Sequence, residues 1–118
     1  MFKVIIAGGR EFNDYELLCK KCNYYFENIR HEGITIISGG ARGADRLGTK
    51  YATERSYELI TINADWDTHG KSAGYKRNTE MGEVADLLIA FWDNKSRGTK
   101  NMIDIMKDLG KRYRIVLY

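Results

Sequence analysis

The sequence predicts an open α/β sandwich: a central parallel five-stranded sheet with about four helices on its two faces. Two observations carry this reading. Short apolar runs of strand length alternate with helix-patterned segments along all 118 residues. The runs at 2–7 and 87–92 are also continuously apolar, as suits parallel strands covered on both faces. At this length residues 1–118 form one domain, long enough to bury a core without metals or disulfides.

The first strand, residues 2–7, ends at Gly8-Gly9-Arg10. Asn13 followed by Glu16 reads as a capping box for a helix. Tyr15, Leu18, Cys22, Tyr25, Phe26 and Ile29 give that helix one apolar face, and it stops near Gly33. Residues 34–38 form the second strand, and a helix from Ala44 to about Arg55 follows. Residues 57–62 alternate enough to place a third strand near the sheet edge. A polar loop at 63–71 leads to a helix over 72–84. The most apolar strand, 87–92, belongs in the sheet interior. A turn over 93–97 precedes a helix from Gly98 to about Leu109, closed by Gly110, and 113–118 is the last strand. Right-handed crossovers make this a Rossmann-like sheet ordered 3-2-1-4-5, so a ligand belongs at the carboxyl ends of the strands, between strands one and four.

Composition narrows the partners. Hydrophobic content of 43% with 30% charged residues is that of a soluble globular protein, and no apolar run spans a bilayer. The N-terminus lacks a signal-peptide pattern, which predicts a cytoplasmic protein. A net charge of +3 permits anionic ligands without demanding nucleic acid; the basic residues are scattered apart from Lys107, Lys111, Arg112 and Arg114. Cys19 and Cys22 form a lone Cys-x-x-Cys inside a helical pattern, with His31 the one extra ligand nearby, so they read as buried structural thiols rather than a metal site. No metal or cofactor is expected. The Tyr24-Tyr25-Phe26 cluster exceeds what one helix face needs and suggests a surface for a homodimer or higher oligomer.

The chemically unusual stretches all fall at the carboxyl rim. Ser38-Gly39-Gly40-Ala41-Arg42-Gly43-Ala44-Asp45 runs from a buried strand through three glycines into a helix, an arrangement that admits a phosphate close to backbone amides. Arg10 can offer a fork of donors to a phosphate or pair with Glu11 or Asp14. Ser38 can donate a hydroxyl hydrogen bond, while Arg42 faces ligand or solvent. Asp45 is either a ribose-hydroxyl acceptor or a first-turn helix carboxylate. Asp65 and Trp66 suit a ribose and a stacked base, although Trp66 also serves as a loop anchor. His69 reads as exposed. Helix spacing aims one of Arg77 and Asn78 at the rim, and Trp92 is a pocket wall or core. Ser96, Gly98 and Thr99 can hold a phosphate or cap a helix.

The ordered string Ala7-Gly8-Gly9-Arg10-x-Phe12, Ser38 to Asp45, Ala64-Asp65-Trp66, Ala73-Gly74-x-x-Arg77-Asn78, Ala90-Phe91-Trp92 and Ser96-Arg97-Gly98-Thr99 resembles the YspA-type branch of the SLOG superfamily. The resemblance spans nearly the whole chain. It implies a Rossmann-like domain that binds a nucleotide or an NAD-derived small molecule, such as an ADP-ribose-type or cyclic-nucleotide signal, in a sensing or sequestering role tied to phage defence or counter-defence. Two relatives in the superfamily imply alternatives. Lonely-guy phosphoribohydrolases carry Gly-Thr in a phosphate loop, matched by Gly98-Thr99, and a catalytic arginine matched by Arg77. Their catalytic glutamate falls at Met102, which argues against an enzyme of that kind unless Glu80, Asp65 or Asp93 substitutes. DNA-processing protein A binds single-stranded DNA with a segment similar to Ser38 to Asp45. Nucleic acid is the less favoured partner here, because no basic stripe is interleaved with aromatics.

Overall fold

The computed structural model describes residues 1–29 and 33–118. Five strands, β1 (Phe2–Gly8), β2 (Ile34–Ser38), β3 (Glu58–Thr61), β4 (Leu87–Trp92) and β5 (Arg112–Leu117), form one parallel sheet in the order β3-β2-β1-β4-β5. The predicted strand order and three-layer sandwich are therefore the observed ones. Between the strands lie α1 (Tyr15–Phe26), α2 (Ala44–Glu54), the short α3 (Trp66–His69), α4 (Ala73–Val84) and α5 (Arg97–Asp108).

Continuous apolar strands make sense because both sheet faces are covered. Val4 and Ile6 point to one face, where Ile36, Ile89 and Phe91 meet Leu18, Cys22 and Phe26 of α1 and Tyr51 of α2. Ile5 and Ala7 point to the other, where Ile37, Leu88 and Ala90 meet Met81 of α4 and Met102 and Met106 of α5. Burial of each large side chain contributes about 1.5–3 kcal/mol, so the apolar runs at 2–8 and 87–92 anchor the fold. With β1 central and its neighbours reached by opposite crossovers, the strand order reverses between β1 and β4, and a crevice opens above that point.

Several local expectations are corrected. The N-cap of α1 is Asp14, whose Oδ1 accepts from the Leu17 amide at 3.0 Å, rather than an Asn13–Glu16 box. That helix ends at Phe26, well before Gly33, because Glu27 and Asn28 already form a turn. The 63–71 loop is not plain coil: Asp65 caps α3 by accepting from the Thr68 amide at 3.1 Å, and a 3-10 turn over Gly70–Ser72 joins it to α4.

Both cysteines are free. Cys22 is fully buried and its thiol is pushed up to about 12 by burial, while Cys19 is half-buried at the margin of the same core. His31 lies outside the described residues. Phe26 is core, but Tyr24 is 69% exposed and stands edge-on to Tyr25. Among the described residues no helix is long and apolar enough to cross a membrane.

Candidate functional site

Two glycines let the backbones at the rim close on one another. A Cβ on Gly8 would overlap the Phe91 carbonyl oxygen, and one on Gly43 would overlap those of Gly9 and Arg10. Gly43 also sits at φ 78°, a conformation that L side chains rarely adopt, and it allows the Ala44 amide to donate to the Gly9 carbonyl at 3.2 Å. The start of α2 is thereby locked against the β1 loop that carries Arg10.

Behind this contact the Ser38 to Asp45 loop is stitched to itself. Ser38 Oγ accepts from the Gly40 amide at 3.1 Å and donates to the Asp45 carbonyl at 3.4 Å, so its hydroxyl is spent inside the loop. Asp45 is 6% exposed, and its Oδ2 accepts from the Ala41 amide at 3.2 Å. Gly39 separates this carboxylate from Arg77: a Cβ there would lie 2.8 Å from Asp45 Oδ2 and 2.7 Å from Arg77 Nη1.

Arg77 is fixed from two sides. Its Nη1 donates to the Gly39 carbonyl and its Nε donates to Asn78 Oδ1 at 3.0 Å. Asn78 in turn donates from Nδ2 to the Gly98 carbonyl at 3.3 Å and to Asn101 Oδ1 at 2.9 Å. Asn78 is thus a positioning residue that ties Arg77 to the start of α5. Burial pulls the Arg77 guanidinium below its ordinary value, Asp45 opposes that, and the like charge of Arg10 adds to it.

Asp45 is raised from 3.8 to about 6, chiefly by burial, against the Ala41 hydrogen bond and the Arg77 and Arg10 charges. A carboxyl raised on folding holds its proton more tightly in the native chain. Its contribution therefore favours the fold below about pH 4 and is lost as the pH rises through about 6. The difference between 3.8 and about 6 converts to about 3 kcal/mol. Asp45→Asn is accordingly expected to be more stable than the parent at pH 8 by up to that amount, with the gap closing by pH 4. Urea unfolding at both pH values measures it, and a gap that does not change with pH would contradict the assignment.

Above these residues the crevice encloses a cavity of about 350 Å³. Of the sequence-predicted residues, Gly8, Gly9, Arg10, Asp45, Arg77, Asn78, Ser96, Gly98 and Thr99 line it, over a floor that includes Ala7, Met81 and Met102. Ser96 caps α5, its Oγ accepting from the Thr99 amide at 3.3 Å and lying 2.9 Å from Thr99 Oγ1. Gly98 is open, with nothing within 4 Å of a Cβ placed there. An adjoining cavity of about 390 Å³ takes in Gly39, Gly40, Arg42 and Trp66, and again Arg10 and Arg77.

Four predicted residues line neither cavity. Ser38 and Gly43 are structural, as described. Asp65 caps α3 through Oδ1 and is held below the usual carboxylate range by the Thr68 hydrogen bonds. Trp92 packs against the α4–α5 core and donates from Nε1 to the Ser96 carbonyl at 3.1 Å. Arg42 reaches its cavity only from the edge; its Nη2 meets Glu11 at 2.8 Å in an exposed pair worth at most about 1 kcal/mol.

The family model for the YspA, cpYpsA-related SLOG family matches residues 2–69, from β1 through α3. The chain belongs to this SLOG family. It is also similar to the Gene 61 protein of Mycobacterium phage D29, at 33% identity over 107 residues, covering 86% of this chain and 85% of that protein. No solved structure matches it.

The matched segment of this SLOG chain holds Arg10, the Ser38 to Asp45 loop and Trp66, whereas Arg77, Asn78 and the Ser96 to Thr99 turn lie beyond it. Sequence reasoning missed Tyr118 and Tyr75 as rim residues and named Asp93 only as a substitute carboxylate. Asp93 and Tyr118 end or follow β4 and β5, and rim position alone was the signal. Asp93 accepts from the Lys95 and Ser96 amides at 2.8 Å, which hold it below the usual carboxylate range.

Proposed function

We propose that this SLOG protein binds a nucleotide or nucleotide-derived small molecule, of the ADP-ribose or cyclic-nucleotide type, and holds it uncleaved as a sensor or sequestering protein. The observation that carries this reading is the pair Arg10 and Arg77 facing a glycine-lined crevice between the starts of α2 and α5. Guanidinium forks and helix N-termini both favour phosphate. A relative encoded by a phage supports a role in the conflict between phage and host.

The floor of the crevice favours binding over hydrolysis. Met102, 1% exposed, lines the crevice, and by motif spacing from Gly98-Thr99 it stands where the resemblance to Lonely-guy enzymes would put a catalytic glutamate. Glycosidic cleavage needs a carboxylate free to stabilise a developing positive charge, and Asp93 is engaged by its own turn. One observation favours the enzyme reading: Asp45 lines the crevice with a carboxyl near 6, in the range a general acid uses. Prolonged incubation with AMP, followed by chromatography of the products, separates the two. Intact AMP is the expected result, and stoichiometric or catalytic release of adenine would replace binding with hydrolysis.

A further inference from the structure

The two edges of the sheet are not alike. On one side β3 is only four residues long, Glu58–Thr61. On the other, β5 runs six residues, Arg112–Leu117, and pairs with β4 alone. The Tyr118 amide donates to the Trp92 carbonyl at 3.2 Å, so by the alternation of a strand the backbone groups of Tyr113, Ile115 and Leu117 turn away from β4. Among the described residues one contact meets that outer edge: the Arg114 guanidinium donates to the Tyr113 carbonyl at 2.9 Å. An edge left unpaired over this length is a template for another strand.

The side chains of β5 sort by face. In register with Leu87 and Ile89, Arg112 and Arg114 stand on the α1 side, both exposed, where they line a cavity of about 470 Å³ with Tyr24 and Tyr25. That cavity shares no residue with the crevice at the rim. Tyr113, Ile115 and Leu117 stand on the α5 side, where Ile115 is 37% and Leu117 58% exposed. Lys107 of α5 adds a third cation, its Nζ 5.6 Å from the centre of the Tyr113 ring. The fourth member of this basic cluster, Lys111, is spent on the carbonyls of Gly82 and Glu83. Among the described residues no carboxylate lies within ion-pair distance of Lys107, Arg112 or Arg114.

The edge thus offers main-chain hydrogen bonds, apolar side chains on one face and uncompensated positive charge on the other. Nucleic acid would neutralise the arginines but cannot pair with a sheet edge. A second copy would bring the same cations to the same edge, and like charges set opposite one another destabilise a strand pair. We propose that β5 takes an extended acidic segment of a partner protein as a sixth strand, with alternate carboxylates beside Arg112 and Arg114 and the apolar residues between them beside Tyr113, Ile115 and Leu117. Main-chain pairing supplies affinity in this mode, and the alternate side chains supply specificity. Arg114 exchanges the Tyr113 carbonyl, which an incoming amide takes over, for a carboxylate.

Fluorescence anisotropy of the full chain with labelled hexapeptides tests it. The probes are Val-Glu-Val-Glu-Val-Glu, its counterpart with lysine in place of glutamate, and the acidic peptide with proline in place of the central valine. Saturable binding of the first peptide alone is expected. The double variant Arg112→Glu with Arg114→Glu is expected to bind it at least about tenfold more weakly and to bind the lysine peptide instead. No binding of the acidic peptide, or equal binding by parent and double variant, would overturn the proposal. Equal binding of the proline peptide would overturn the strand pairing on which it stands. Sedimentation of the parent as a dimer that Ile115→Asp dissociates would give the edge to a second copy, and would overturn it as well.

Discussion

Arg77→Ala is expected to abolish ligand-induced stabilisation while leaving the free protein folded. Ligand at a hundred times its dissociation constant stabilises the native state by about 2.7 kcal/mol. A hydrogen bond to a charged group contributes about 1.5–3 kcal/mol, and Arg77 is the one rim cation held in place by Gly39 and Asn78. Its loss should lower affinity by roughly a hundredfold, enough to erase the shift at that concentration. The free protein loses two side-chain hydrogen bonds from a stability of about 5–15 kcal/mol, which it survives. Arg77→Lys should not rescue binding, because an ammonium cannot serve Asn78, the Gly39 carbonyl and a phosphate with one planar fork. Thermal unfolding with and without ADP-ribose reads both effects. A variant that keeps the parent's shift would remove Arg77 from the site.

Gly43→Ala is expected to cost the fold about 3 kcal/mol or more. Positive φ at 78° charges a non-glycine residue roughly 1 kcal/mol or more, and the added methyl would overlap two backbone carbonyls, of Gly9 and Arg10, that cannot swing aside like a flexible side chain. Relief requires separating the β1 loop from the start of α2, which breaks the Ala44 to Gly9 hydrogen bond and moves Arg10. Gly98→Ala is the contrast. With open space around it, that change should leave stability within about 1 kcal/mol. Urea unfolding of the pair checks this, and equal stability of the Gly43→Ala and Gly98→Ala variants would contradict the account of the Gly43 contact.

The sheet was legible because its signal is repetitive. Apolar runs spaced by amphipathic segments imply parallel strands with two-sided cover, and the crossover rule then leaves few orders to choose from. The glycine loops and Arg77 were legible for a similar reason, since backbone approach and helix position are local properties. What stayed hidden depends on partners distant in sequence. Asn78 looked like a ligand contact, but its amide is consumed by Gly98 and Asn101 on α5. Asp65 sat in the right loop yet became a helix cap, because the polar segment 63–71 folds into α3 and a 3-10 turn. Trp92 alternates to the α4–α5 side of the sheet rather than into the crevice. Tyr75 and Trp66 line one cavity only once the 3-10 turn has joined α3 to α4.

The most direct test of a nucleotide-holding rim is to incubate the protein with a mixed pool of nucleotides and NAD-derived metabolites, wash it, denature it and weigh what is released by mass spectrometry. One intact nucleotide species per chain from the parent, and none from Arg77→Ala, is the expected result. An empty parent protein, or release of free base with ribose phosphate, would contradict it.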